Sequence, residues 1–243
     1  MQKIIIANWK MQLNLKESLV LAKALARKIT KTKNQVLVCP DYLALPFVGP
    51  ILKSSPLILG AQDSAAALKG AYTGEVSAFN LKTLGVKYVI LGHSERRSGL
   101  HENSAIINAK IKTALGAGLI PVLCVGEKLA EKKAGLAKKY LSGELSRALK
   151  GVKIKKASDL IIAYEPLWAI GTGVPIVPTE AEDINKFIKR RTAVILKKNI
   201  PVLYGGSVDA SNAANFLGQP NVDGLLVGGA SLKAEEFSKI CRL

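Results

Sequence analysis

Eight short apolar runs, recurring at roughly 30-residue intervals and each followed by a longer amphipathic stretch, constrain this chain more than any other feature. The runs are Lys3–Ala7, Gln35–Cys39, Leu57–Ala61, Tyr88–Leu91, Ile120–Val125, Leu160–Tyr164, Val202–Tyr204 and Gly224–Val227. Each is nearly continuous in Ile, Leu and Val, which predicts parallel strands covered on both faces. Between them, Lys16–Ile29, Ser104–Leu115, Lys128–Leu149 and Glu180–Lys197 repeat apolar residues at helical spacing, as Leu15, Leu19, Ala22 and Ala26 illustrate. Thr179 is the expected cap of the last of these helices, with the acids of Glu180 to Asp183 in its first turn.

Parallel strands joined by helices make either an open doubly wound sheet or a closed barrel. Eight repeats favour closure, and no Gly-x-Gly-x-x-Gly follows the first run, so the dinucleotide fingerprint is missing. The 243 residues suit one eight-stranded barrel, and no Pro/Gly/Ser tract divides them. Residues 1–243 are therefore expected to form a single α/β domain, a (β/α)8 barrel of eight parallel strands ringed by helices.

Composition then excludes several function classes. The longest charge-free stretch near the middle, Thr113 to Gly126, is broken by Gly116, Gly118 and Pro121 and falls short of a membrane span. The first residues are apolar only over Ile4 to Ala7, too short a run for a signal peptide, so a cytoplasmic location is expected. Three cysteines without Cys-x-x-Cys spacing, two of them inside apolar runs (Cys39 and Cys124), predict buried thiols rather than disulfides or a zinc site. The charge is less ordinary: 35 Lys+Arg against 18 Asp+Glu give +17. With the lysines dispersed and no interleaved aromatics, solvated helix faces are expected and nucleic-acid binding is not, although a positive field would steer an anionic substrate.

In a closed barrel, catalytic groups converge where the strands end. The first run leads into Asn8-Trp9-Lys10, the fourth into His93-Ser94-Glu95-Arg96-Arg97, and the sixth into Glu165-Pro166-Leu167-Trp168-Ala169-Ile170-Gly171-Thr172-Gly173. The last two end in Gly205-Gly206-Ser207 and Gly228-Gly229. Two glycine-rich turns after consecutive final strands suit a phosphate, which backbone N–H groups can hold at close approach. Ser94 is expected to cap a helix whose N-terminus lowers the pKa of His93 and keeps the ring neutral. The other histidine, His101, is expected to face solvent. Glu165 precedes an apolar flap that would close over it, exclude water and strengthen it as a base.

These segments resemble the signatures of the triosephosphate isomerase family. The match covers Asn8 to Lys10, Gly92 to Arg97, Ala163 to Gly173, Tyr204 to Val208 and Leu226 to Leu232, in the family's order, with Gly70 to Glu75 similar to its third loop. The resemblance implies the TIM barrel fold and a triose phosphate substrate, whose ketose and aldose forms interconvert through an enediolate in glycolysis and gluconeogenesis. It implies Glu165 as base, a neutral His93 as electrophile and proton shuttle, Lys10 and Asn8 at the developing oxyanion, and Glu95 holding Lys10. Backbone N–H groups of Gly171, Ser207, Gly228 and Gly229 would bind the phosphate. No metal or cofactor is implied. The family is usually a homodimer, in which Thr73 would insert beside the neighbour's Asn8 and Lys10.

The chain departs from the family pattern at the far flap hinge, Val174-Pro175-Ile176, where proline is expected to change opening and closing rates. Asp63 stands where the family commonly has Asn, and the +17 charge exceeds what the reaction needs. A ribulose-phosphate epimerase-like barrel would share the phosphate turns but should carry metal ligands or paired aspartates at strand ends, which this sequence lacks. A basic binding protein without catalysis should have lost Lys10, His93 or Glu165.

Overall fold

The computed structural model describes residues 2–169 and 176–243. Eight parallel strands close in sequence order: β1 (Ile4–Asn8), β2 (Gln35–Cys39), β3 (Ile58–Ala61), β4 (Tyr88–Leu91), β5 (Ile120–Val125), β6 (Ile161–Tyr164), β7 (Val202–Gly205) and β8 (Gly224–Val227). The ring is completed by β8 on β1, with Ile4 opposite Gly224. Outside it run α1 (Leu15–Lys28), α2 (Leu45–Leu52), α3 (Ala78–Thr83), α4 (Ser94–Gly99), α5 (Ser104–Gly116), α6 (Leu129–Lys133), α7 (Ala137–Ala148), α8 (Pro178–Leu196), α9 (Ala213–Leu217) and α10 (Ala234–Arg242).

The continuous apolar character of the strands is explained by their two buried faces. Alternate residues (Ile6, Leu37, Ile90, Val122, Ala163, Leu203 and Leu226 among them) fill the barrel interior. Their neighbours, such as Ile5, Val36, Val89, Leu123 and Val202, pack outward against the helices. Period-two geometry thus serves two cores with one strand. At about 1.5–3 kcal/mol per large aliphatic side chain removed from water, this double burial is the main favourable contribution to the fold.

The helices form where amphipathic spacing meets local capping. Asn14 and Glu17 make a reciprocal box at the start of α1: the Glu17 N–H donates to Asn14 Oδ1 at 3.0 Å, and the Asn14 N–H donates to Glu17 Oε2 at 2.8 Å. Two expected boundaries are corrected. The helix anticipated over Lys128–Leu149 is two helices, α6 and α7, interrupted around Gly135. Thr179 is no cap, because α8 already begins at Pro178, whose fixed φ suits the first helical position, with Val177 as the cap residue.

Candidate active site

The inward face of β1 ends in Asn8, after which the chain turns through Lys10 at φ 53°, a left-handed conformation that costs a side-chain-bearing residue about 1–2 kcal/mol. Two contacts hold it there. The Lys10 N–H donates to Asn8 Oδ1 at 3.1 Å, and Gln62 at the end of β3 donates to the Lys10 carbonyl at 2.8 Å and to the Cys39 carbonyl at 3.0 Å. The Lys10 ammonium reaches Glu95 Oε1 at 2.5 Å.

His93 is aimed by a break in the alternation of β4. Gly92 takes φ +70°, which turns the next side chain onto the barrel mouth, and a Cβ there would lie 2.9 Å from Ile107 Cδ1. His93 rather than Ser94 is the N-cap of α4, and its Nδ1 accepts the Glu95 N–H at 3.3 Å. With Nδ1 an acceptor, the neutral ring carries its proton on Nε2, which lies 3.3 Å from Glu165 Oε1.

Glu165 continues the inward set of Ile161 and Ala163, and its N–H extends the ladder by donating to the Val125 carbonyl at 2.8 Å. Its backbone is placed by a missing atom: a Cβ on Gly126 would stand 1.7 Å from the Glu165 carbonyl oxygen. Glu144, buried in α7, accepts the Gly126 N–H at 3.2 Å and pairs with Arg97 at 2.8 Å. Arg97 also donates to the carbonyls of Gly92 (2.6 Å) and Cys124 (2.9 Å), so one guanidinium ties the end of β4, which carries the imidazole, to β5, the neighbour of the strand that carries the carboxylate.

Opposite these side chains stand Gly205, the last residue of β7, with Gly206 and Ser207, and Gly228 to Gly229, where a 3₁₀ turn over Gly229–Leu232 begins; Asp209, Lys233 and Glu236 complete the lining on that side. Ser207 is fixed by its hydroxyl, which donates to the Ala169 carbonyl at 3.1 Å, and by its carbonyl, which accepts from Asn212 Nδ2 at 3.0 Å. Together they enclose a cavity of about 310 Å³.

The charges in this cavity are coupled. Burial pushes the Glu165 carboxyl up, but the nearby His93, the Cys124 thiol and Lys10 outweigh it and hold the pKa below the ordinary glutamate value. For His93, burial lowers the pKa while the Glu165 and Glu95 carboxylates raise it by more, so the net direction is upward. That corrects the expectation from the helix N-terminus. The N–H contact exists, but two carboxylates face the ring, and at 3.3 and 3.6 Å they prevail.

Of the residues singled out in the sequence, Asn8, Lys10, His93, Glu165, Ser207, Gly228 and Gly229 line this cavity. Glu95 joins it through Lys10 and His93. Thr73 lies exposed in the loop after β3, outside the cavity, and His101 is exposed with φ 54°. Gly171 and the hinge residues Val174 and Pro175 lie outside the described residues, while Ile176 is buried. Sequence reasoning missed Gln62, Gly126, Glu144 and Lys233; only Gln62 and Gly126, standing at strand ends, carried a signal. Asp63 does more than add a charge near the third loop. Buried, it pairs with Lys110 at 2.6 Å and Arg96 at 2.9 Å, and Glu102 completes the cluster. Among the described residues no group of three or more His, Cys, Asp or Glu is arranged to hold a metal ion.

Known proteins are similar to this chain across its full length. The family model described as triosephosphate isomerase matches residues 3–243. A triosephosphate isomerase of Dehalococcoides mccartyi (strain CBDB1) is 44% identical over 248 residues, covering 100% of this chain and 96% of that one. One from Herpetosiphon aurantiacus is 42% identical, covering 98% of each. The crystal structure of triosephosphate isomerase from Bartonella henselae superposes with a TM-score of 0.90 at 37% identity, covering 99% of this chain and 98% of that one.

Proposed function

The chain belongs to the triosephosphate isomerase family and interconverts dihydroxyacetone phosphate and D-glyceraldehyde 3-phosphate, and on that premise we propose that Glu165 is its base, His93 its proton donor and Lys10 its fixed cation. The observation that carries the assignment is the contact of Glu165 Oε1 with His93 Nε2 at 3.3 Å, facing glycine-rich backbone across the cavity. A three-carbon phosphate with its anion on that backbone presents its carbonyl end to the pair.

Glu165 takes the proton from the carbon beside the carbonyl and returns it to the neighbouring carbon. The Nε2–H of His93 donates to the carbonyl oxygen, and the enediolate charge develops within reach of Lys10 and Asn8. Substrate lying between Glu165 and His93 weakens the contact that lowers the Glu165 pKa, while burial, which raises it, persists. The carboxylate therefore becomes a stronger base when the substrate arrives. N–H groups of Ser207, Gly228, Gly229 and Gly171 hold the phosphate. Glu95 keeps the ammonium of Lys10 directed at the mouth. Turnover of glyceraldehyde 3-phosphate by Glu165→Ala is expected to fall about 10²–10⁴-fold with the fold intact. Unchanged turnover would assign the proton transfer to another group.

The reading includes a homodimer and a cytoplasmic location. Supporting the dimer, Met11 is 93% exposed and Tyr72 57%, and a second cavity of about 290 Å³ runs between Asn8, Tyr42, Gln62 and Arg96. On this reading a neighbour's loop bearing Thr73 would fill this hole, and Thr73→Arg should shift sedimentation from dimer to monomer and lower turnover. Three buried cysteines without disulfides suit a reducing compartment. Among the described residues no helix is long and apolar enough to cross a membrane.

A further inference from the structure

The excess of positive charge is not spread evenly around the barrel. The loops that follow the strands, at the active-site end, carry six carboxylates and four lysines. The loops that lead into the strands, at the opposite end, carry ten exposed lysines: two in residues 29–34, one each in 53–57 and 84–87, four in 149–160 and two in 197–201. None of the ten is among the ion pairs of the described residues. Only two carboxylates stand in these loops, and both are engaged. Asp159 accepts the N–H groups of Lys155 and Lys156, and Asp223 pairs with Lys189 at 2.8 Å and accepts the Val202 N–H.

The arrangement follows the barrel's circular order. The segments 149–160, 197–201 and 29–34 lead into β6, β7 and β2, so their lysines stand on either side of β8 and β1 along the arc of the rim from β6 to β2. Between them, beside the start of β7, β8 and β1, opens a cleft of about 590 Å³, lined by Lys189, Arg190, Asn199, Asn221 and Asp223. Mutual repulsion among so many uncompensated ammonium groups costs stability, and a polyanion relieves it.

We propose that this face binds the phosphate backbone of duplex nucleic acid without reading its sequence. The chemistry selects that partner. These loops contain no Phe, Trp or Tyr, so they can neither stack unpaired bases nor anchor at a lipid interface. Lysines are point charges suited to phosphates rather than to bidentate readout of base edges. The face lies at the far end of the barrel from Glu165, so binding and isomerisation are independent.

The test compares two variants of equal net charge. One replaces Lys153, Lys155, Lys156 and Lys198 with Gln; the other replaces Lys16, Lys23, Lys139 and Lys186, exposed on the helical ring. Binding to a fluorescent duplex of arbitrary sequence is read by anisotropy at about 50–200 mM salt, where each phosphate contact contributes a log–log slope of roughly −0.9. The face variant should lose at least about 10-fold in affinity and flatten that slope by about 2–4, while the ring variant changes less than about 2-fold. Both should keep wild-type isomerase turnover. Equal losses would reduce the effect to net charge and overturn the site. So would the absence of binding at about 150 mM salt, or a preference for phosphatidylserine vesicles over the duplex.

Discussion

The two halves of the catalytic cavity are built by opposite means. The half that moves protons is made of side chains held from behind: a left-handed Lys10 clamped by Gln62, His93 at the end of β4 braced by Arg97, and Glu165 laddered onto β5, which the Arg97–Glu144 pair holds. The half that faces the phosphate is made chiefly of main chain, glycines and a serine whose hydroxyl is already committed to the Ala169 carbonyl, with Lys233 in its lining. Proton transfer is sensitive to fractions of an ångström and to local charge, so its groups need buried partners. A phosphate dianion accepts many N–H donors, so a peptide edge without side chains suffices.

This contrast breaks most readily at its brace. Glu144→Ala leaves Arg97 buried without its carboxylate and should cost about 3–5 kcal/mol of stability by urea denaturation. A cost below about 1 kcal/mol would mean the guanidinium finds compensation elsewhere. Gly126→Ala is expected to lower kcat by about 10²-fold while the helical signal persists, because the new methyl must displace the Glu165 carbonyl. If kcat holds and only KM rises, the base is not being positioned by this contact.

The Asp63 cluster sharpens the comparison through pH. Burial pushes the Asp63 carboxyl up to about 6, against the attraction of Lys110 and Arg96 and with the repulsion of Glu102. Because its folded pKa lies above the ordinary value of 3.8, the folded state holds a proton that the unfolded chain releases between those values. The stability this group contributes is therefore full below that range and is lost as pH rises through about 6. Asp63→Asn should flatten the fall in melting temperature between pH 4.5 and 7, and an unchanged profile would show the carboxyl ionised throughout. The smallest effect is expected on the main-chain side. Ser207→Ala removes one hydroxyl bond, worth about 1 kcal/mol, and should change KM less than about 10-fold.

What was legible in the sequence follows the same division. Strands with two buried faces announce themselves as continuous apolar runs, and polar residues at their ends stand out against that background, as Asn8, His93 and Glu165 do. The supporting residues do not. Glu144 and Arg97 meet across α7 and α4, far apart in sequence, and no local pattern marks a buried ion pair. The helix break at Gly135 and the cap at Val177 were missed because an amphipathic stripe runs on regardless of where hydrogen bonding stops. The direction of the His93 pKa depends on Glu165, which only the closed ring brings beside it.

That ring has a consequence for synthesis. β1 leaves the ribosome first, yet one of its two neighbours is β8, so Ile4 waits for Gly224. At about 5–20 residues per second the wait is on the order of 10–40 s, during which a growing sheet presents two free edges and half-covered apolar faces. The seam is also where α1 and α10 meet, with Arg242 donating to the Lys28 carbonyl and Thr32 to the Cys241 carbonyl. A nascent chain of this kind therefore depends on helper proteins or on the speed of translation until its last strand emerges, whatever the stability of the finished barrel.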